Sequence, residues 1–134
     1  MPNDTSTTKL YGAVPVFLVG DIASTMRWYA ENLGFTTDPF PESPPHHFCI
    51  LCRDTVSIFL QQLDGYRKPD VYQQREGGVW NAYLRVQGVS AFFDQLSRRE
   101  GVTILEPLCH QPYGQTDFVV RDPNGYAIVF AEHD

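Results

Sequence analysis

Residues 119–130 read VVRDPNGYAIVF and residues 50–60 read ILCRDTVSIFL. Each stretch is an apolar β-rich run, an Arg-Asp pair, a turn and a second apolar run, which is the pattern of a β-hairpin. Asp-Pro-Asn-Gly is turn chemistry, because proline presets φ and glycine accepts a left-handed backbone. In the earlier stretch Asp54-Thr55 alone makes a tight turn. Working outward, the same order of elements surrounds both hairpins. LYGAVPVFLV (10–19) reads as a strand, with Pro15 marking an edge or a bulge. In 21–35, Asp21 is a helix N-cap, Ile22, Met26, Tyr29 and Leu33 fall at helical spacing, and Gly34 stops the helix. A short strand near Thr36–Phe40, a proline-rich loop and the strands His47–Arg53 and Val56–Gln62 follow. After a polar loop, 63–78, the series starts again. VWNAYLRV (79–86) is a strand, and GVSAFFDQLSRREG (88–101) is a helix with Val89, Phe92, Phe93 and Leu96 on its apolar side. TILEPLCH (103–110) is a strand, and two more strands flank the Asp-Pro-Asn-Gly turn.

The halves align as an internal repeat. A shift of 67 carries Val19 to Val86, Ile22 to Val89, Tyr29 to Leu96 and Gly34 to Gly101. A shift of 68 carries Arg53-Asp54 to Arg121-Asp122, and a shift of 70 carries 58–60 to 128–130, which makes the second hairpin two residues longer. Each half is β-α-β-β-β. The expected fold is therefore α+β: tandem βαβββ modules, 10–62 and 79–132, forming cupped mixed sheets in one domain over 10–134, with 63–78 as linker and 1–9 as a disordered tail. Neither module is large enough to bury a good core alone, so the two are expected to pack together.

Of the 134 residues, 43% are hydrophobic and the formal net charge is −6. An acidic chain lacks the clustered Lys and Arg that phosphate backbones require, so neither nucleic acid nor an anionic membrane is an expected partner. No apolar run is long enough to span a bilayer and the first nine residues carry no signal-peptide core, so a cytoplasmic location is expected. Cys49 and Cys52 spell C-x-x-C, but on a strand residues three apart point to opposite faces, which disfavours a shared metal or disulfide. His46 and His47 lie in the proline-rich loop, and His110 and His133 have no carboxylate or cysteine at ligand spacing.

The tandem repeat, with VGDIASTMRWYAENLGF (19–35) and FVVRDPNGYAIVFAE (118–132), resembles the vicinal oxygen chelate superfamily: glyoxalases, bleomycin-resistance proteins and extradiol dioxygenases. The resemblance covers residues 10–132. It implies four sheet positions that hold a divalent ion in the metal-dependent members, and these fall on Val14, Phe59, Asn81 and Val129. Imidazole or carboxylate donors would be needed there, and only Asn81 offers a lone pair. Shifting the register by one residue does not supply a donor, and Glu132 lies on the other face of its strand. No metal and no cofactor is expected. The chain is most similar in kind to metal-free bleomycin-resistance proteins, which implies sequestration of an aromatic or cationic drug-like molecule by a homodimer, as in antibiotic resistance. The expected ligand-binding residues are Val14, Phe48, Phe59, Gln61, Trp80, Asn81, Tyr83, Tyr113 and Val129, an apolar cup with few polar groups. The alternative is a glyoxalase- or dioxygenase-type enzyme of the same superfamily, with non-standard metal ligands or with metal-free acid–base catalysis by Tyr83 or a loop histidine.

Overall fold

Apolar alternation on eight short segments, interrupted twice by a helical period, produces two copies of one unit. The computed structural model describes residues 7–134, so positions 1–6 of the expected tail lie outside the described residues. The elements are β1 (Val16–Val19), α1 (Ile22–Leu33), β2 (Thr36–Phe40), β3 (Phe48–Arg53), β4 (Val56–Gln62), β5 (Ala82–Arg85), α2 (Val89–Ser97), β6 (Thr103–His110), β7 (Gln115–Arg121) and β8 (Ala127–His133). They form two mixed four-stranded sheets, ordered β1-β4-β3-β2 and β5-β8-β7-β6. β1 runs parallel to β4, and β5 parallel to β8. The first strand of each half is shorter than its sequence suggests: Val14 precedes β1, and Trp80 and Asn81 precede β5.

Helix ends follow their local chemistry. The Asp21 carboxylate accepts from the Ser24 N–H, and Gly34 takes the left-handed conformation that closes α1. The start of each helix is also held by its own sheet. The Gln62 side-chain oxygen accepts from the Ile22 N–H at 2.7 Å, and at the repeat-related position Glu132 accepts from the Gly88 and Val89 N–H groups at 3.0 Å each. Glu132, which the alternation places away from Val129, thus caps α2, where a carboxylate also complements the helix dipole.

The helix-covered faces of both sheets merge into one core that holds Phe17, Tyr29, Leu51, Leu60, Leu84, Leu96, Phe118 and Phe130. Cys49 is in this core, while Cys52, facing the other way, lies 3.4 Å from the Ser57 hydroxyl. Strand alternation separates the C-x-x-C pair as expected. Several bonds cross between the halves. Tyr29 donates to Asp122 at 2.7 Å, Tyr126 donates to the Leu18 carbonyl at 2.7 Å, and Trp28 donates to the Gly101 carbonyl at 2.7 Å.

Burial corrects the repeat alignment in one place. Cys49 and Leu51 face the core, and so do Phe118 and Val120, whereas Val119 faces outward. The strands β3 and β7 are therefore related by 69, not 68, since a one-residue slip exchanges the two faces of a strand. Arg53 takes the position of Asp122, not of Arg121. The strand-end pair Arg53 and Val56 matches Asp122 and Tyr126, and the second hairpin is one residue longer, not two.

Candidate functional site

The outer faces of the two sheets, turned away from the shared core, carry the residues singled out from sequence, and the two faces differ. On the second sheet the outer row runs from Tyr83 through Val129 to Val119, and a second row runs from Arg85 through Ala131 to Asp117. Val119, Ala127, Val129 and Ala131 form a small apolar cluster covered by Tyr72 and Leu105. Tyr72 belongs to a single 3-10 turn, Tyr72–Gln74, in the linker. Within the linker the Tyr72 ring lies against residue 78, which is glycine: a side chain there would overlap the ring. Val129 is consequently 0% exposed, and it forms the floor of this face without offering surface to a guest.

Asp117 is a buried carboxylate of this face, only 4% exposed; Glu106, paired with Val119, is an exposed one. Asp117 accepts from the Tyr113 hydroxyl at 2.6 Å and from the Gln111 amide at 3.0 Å. Burial, then the Asp117 hydrogen bond and charge, push the Tyr113 phenol well above its ordinary value. Tyr83 is also raised, by burial first and by Asp117 second. The rings of Trp80 and Tyr83 lie 5.8 Å apart, and both are partly exposed, as is Tyr113. The result is an open aromatic patch of Trp80, Tyr83 and Tyr113 with one carboxylate behind it. Asp117 and Gln111 were not singled out from sequence. The period-2 pattern in Gln115–Arg121 could have found Asp117, because it places that residue opposite to core-facing Phe118.

Asn81 has a different task from the one expected. Its side-chain oxygen accepts from the Ala127 N–H at 2.8 Å, and its own N–H donates to the Ala127 carbonyl at 2.9 Å. The amide therefore extends the β5–β8 ladder by one rung.

On the first sheet the outer face is open. Val16 pairs with Phe59, and Phe48 with both Gln61 and Phe40. Phe48 meets Phe59 edge to face at 5.2 Å and Phe40 at 6.2 Å. Phe48, Phe59 and Gln61 thus form one platform, joined by Phe40, which the sequence reading omitted. Between the two sheets runs an open cavity of about 860 Å³, bounded by Tyr11, Val14, Ser57, Asn81, Tyr83 and Arg85. It touches neither Phe48 nor Phe59. The expected residues hence fall into two groups on two outer faces, with Val14 at the seam.

The four positions that the resemblance assigns to a metal do not fit a divalent ion. Val14, Phe59 and Val129 have no donor, and the Asn81 oxygen is engaged by Ala127. Among the described residues, no group of three or more His, Cys, Asp or Glu side chains is placed to hold a metal. His46 contacts the Pro41 carbonyl oxygen at 2.7 Å, and His110 pairs with Asp134 at 3.0 Å on the surface. No described helix is long and apolar enough to cross a membrane.

The family model described as Glyoxalase/Bleomycin resistance protein/Dioxygenase superfamily matches residues 13–130. The chain belongs to this superfamily. No curated protein sequence matches it. Among solved structures it is similar to TioX from Micromonospora sp. ML1, at 20% identity and TM-score 0.70, covering 90% of this chain and 97% of that one. It is also similar to the bleomycin-binding protein of Streptomyces verticillus, crystallised with copper(II)-bleomycin, at 20% identity and TM-score 0.70 over 96% and 100% of the two chains. A superfamily member from Sphaerobacter thermophilus DSM 20745 is 20% identical, with TM-score 0.71 over 93% and 98%. At these identities the likeness concerns the fold.

Proposed function

We propose that the protein binds and sequesters a planar aromatic, cationic small molecule without a metal ion. The Trp80, Tyr83 and Tyr113 patch backed by the Asp117 carboxylate carries this reading. Aromatic faces attract planar and cationic guests, and a carboxylate behind them selects for positive charge. Similarity of fold to a bleomycin-binding protein supports it. The two aromatic platforms sit on different outer faces of one chain. A homodimer that sets the Phe48 and Phe59 platform of one copy against the Tyr83 face of the other would close the cup. The raised Tyr83 phenol weighs against Tyr83 as a catalytic base, since a tyrosine whose pKa lies above its ordinary value gives up its proton less readily near neutral pH.

The test is a fluorescence titration with acriflavine, a planar aromatic cation, in a Trp28→Phe background that leaves Trp80 as reporter. Saturable quenching is expected. Asp117→Asn, Tyr83→Ala and Phe59→Glu should each weaken it by about tenfold or more, roughly 1.4 kcal/mol, while Arg98→Ala should leave it unchanged. Absence of saturable quenching, or indifference to all three substitutions, would overturn the reading.

A further inference from the structure

The two halves treat one structural position in opposite ways. In the second half, Tyr126, the residue before β8, fills a slot against β1: its ring stacks on Phe17 at 4.1 Å with the planes 3° apart, and its hydroxyl reaches the Leu18 carbonyl. Beside it the Asp122 carboxylate takes the Tyr29 hydroxyl. Through the repeat, Phe17 corresponds to Leu84, Tyr29 to Leu96, Tyr126 to Val56 and Asp122 to Arg53. Valine is too short to fill a phenol's slot. The structure has a cavity of about 450 Å³ at that place, lined by Phe35, Val56, Leu84, Phe92 and Phe130 among others. The charge is reversed as well. Where the filled slot has Asp122, the empty one has the Arg53 guanidinium, lying 5.1 Å above the Phe92 ring and donating one N–H to the Leu33 carbonyl at 2.8 Å. Arg85, Gln87 and Gln95 add donors to the lining. Asp54 is the lone carboxylate of the lining, and its side chain is largely exposed, 3.8 Å from Arg53.

We propose that this cavity, which adjoins the larger open cavity at Val56, Leu84 and Arg85, is a second small-molecule site on the helix side of the sheets, and that it takes a one-ring aromatic carboxylate. The ring occupies the space that Tyr126 fills in the other half, against Leu84, Val56 and Phe92. The carboxylate meets Arg53, whose planar fork suits a carboxylate and whose position is already fixed by Leu33 and Phe92. A volume of this size lies within the range of small-molecule pockets. The bound acid bridges the β3–β4 turn to α2, as Tyr126 and Asp122 bridge the β7–β8 turn to α1.

Isothermal titration calorimetry with 4-hydroxyphenylacetate tests the assignment, with tyramine as the amine of the same ring. The acid is expected to saturate one site per chain, and tyramine to compete for that site at least about tenfold more weakly. Val56→Tyr restores the missing ring and should abolish binding. Ala91→Phe fills the cavity from an exposed helix position and should do the same, which keeps the test valid if Val56→Tyr fails to fold by circular dichroism. Arg53→Gln should weaken the acid by about tenfold and remove the preference over tyramine. No saturable heat with the acid up to about 10 mM, displacement of the acid by tyramine at equal concentration, or acid binding that survives both filling substitutions would overturn the proposal. So would loss of binding in Tyr83→Ala alone, which would place the acid on the outer face instead.

Discussion

The Tyr29 hydroxyl donates to the Asp122 carboxylate at 2.7 Å across the junction of the two halves, 93 residues apart in sequence, with both side chains buried. The Asn124 and Tyr126 N–H groups supply two further donors at 2.8 and 2.9 Å. Burial raises the Asp122 pKa, and these hydrogen bonds pull it back only in part. A carboxyl raised on folding binds more protons in the folded chain than in the unfolded one. The Asp122 contribution to stability is therefore greatest below the unfolded aspartate value, about 3.9, and declines as pH rises through the raised folded value. Urea unfolding of wild type and Asp122→Asn between pH 3 and 7 should show the difference in stability changing with pH in that sense. Tyr29→Phe should cost about 2 kcal/mol. A pH-independent difference would contradict the assignment.

Tyr126 combines ring stacking with a part-buried hydrogen bond. Tyr126→Phe keeps the stack and loses the bond to Leu18, so about 1 kcal/mol is expected. Tyr126→Ala also opens a cavity and should cost about 3–5 kcal/mol. Chemical denaturation of the two variants checks the order.

Asn81→Ala should lower stability more than it lowers affinity for an aromatic cation. It leaves the Ala127 N–H without its partner, a loss of about 1–3 kcal/mol. Denaturation and fluorescence titration of the same preparation give both values. An affinity loss larger than the stability loss would return Asn81 to the ligand.

Light scattering at micromolar concentration should report a particle of about twice 15.2 kDa. The strands β1 and β5 are sheet edges, and Leu10 and Tyr11 ahead of β1 are 94% and 95% exposed. Natural sheets rarely leave an edge and such apolar surface uncovered. A 15 kDa particle would contradict the dimer.

Elemental analysis of protein purified without chelators should find Zn, Ni, Mn and Fe far below one ion per chain. The donor-free set of Val14, Phe59 and Val129, with Asn81 engaged, motivates this. A stoichiometric ion that is lost on chelation, together with an activity, would favour the enzymatic reading.

The repeat, the helix caps at Asp21 and Gly34 and the alternation of Cys49 and Cys52 were legible from sequence, because periodicity and capping are local properties of the chain. So were the residues at the four positions the resemblance assigns to a metal, Val14, Phe59, Asn81 and Val129, since that needs only identities at matching positions. Tertiary structure decided the rest. One-residue register between β3 and β7 cannot be read from an Arg-Asp motif shared by both, and only burial shows that Arg53 stands where Asp122 does. Whether an outer face is open or covered depends on where the linker lies, so nothing near Val129 in sequence announces Tyr72 above it. Asp117 gains its place from Tyr113 and Gln111 folding back over it. The empty slot beside Val56 exists because a repeated fold was filled by different side chains in its two halves, and a difference in filling becomes visible only when both halves are packed.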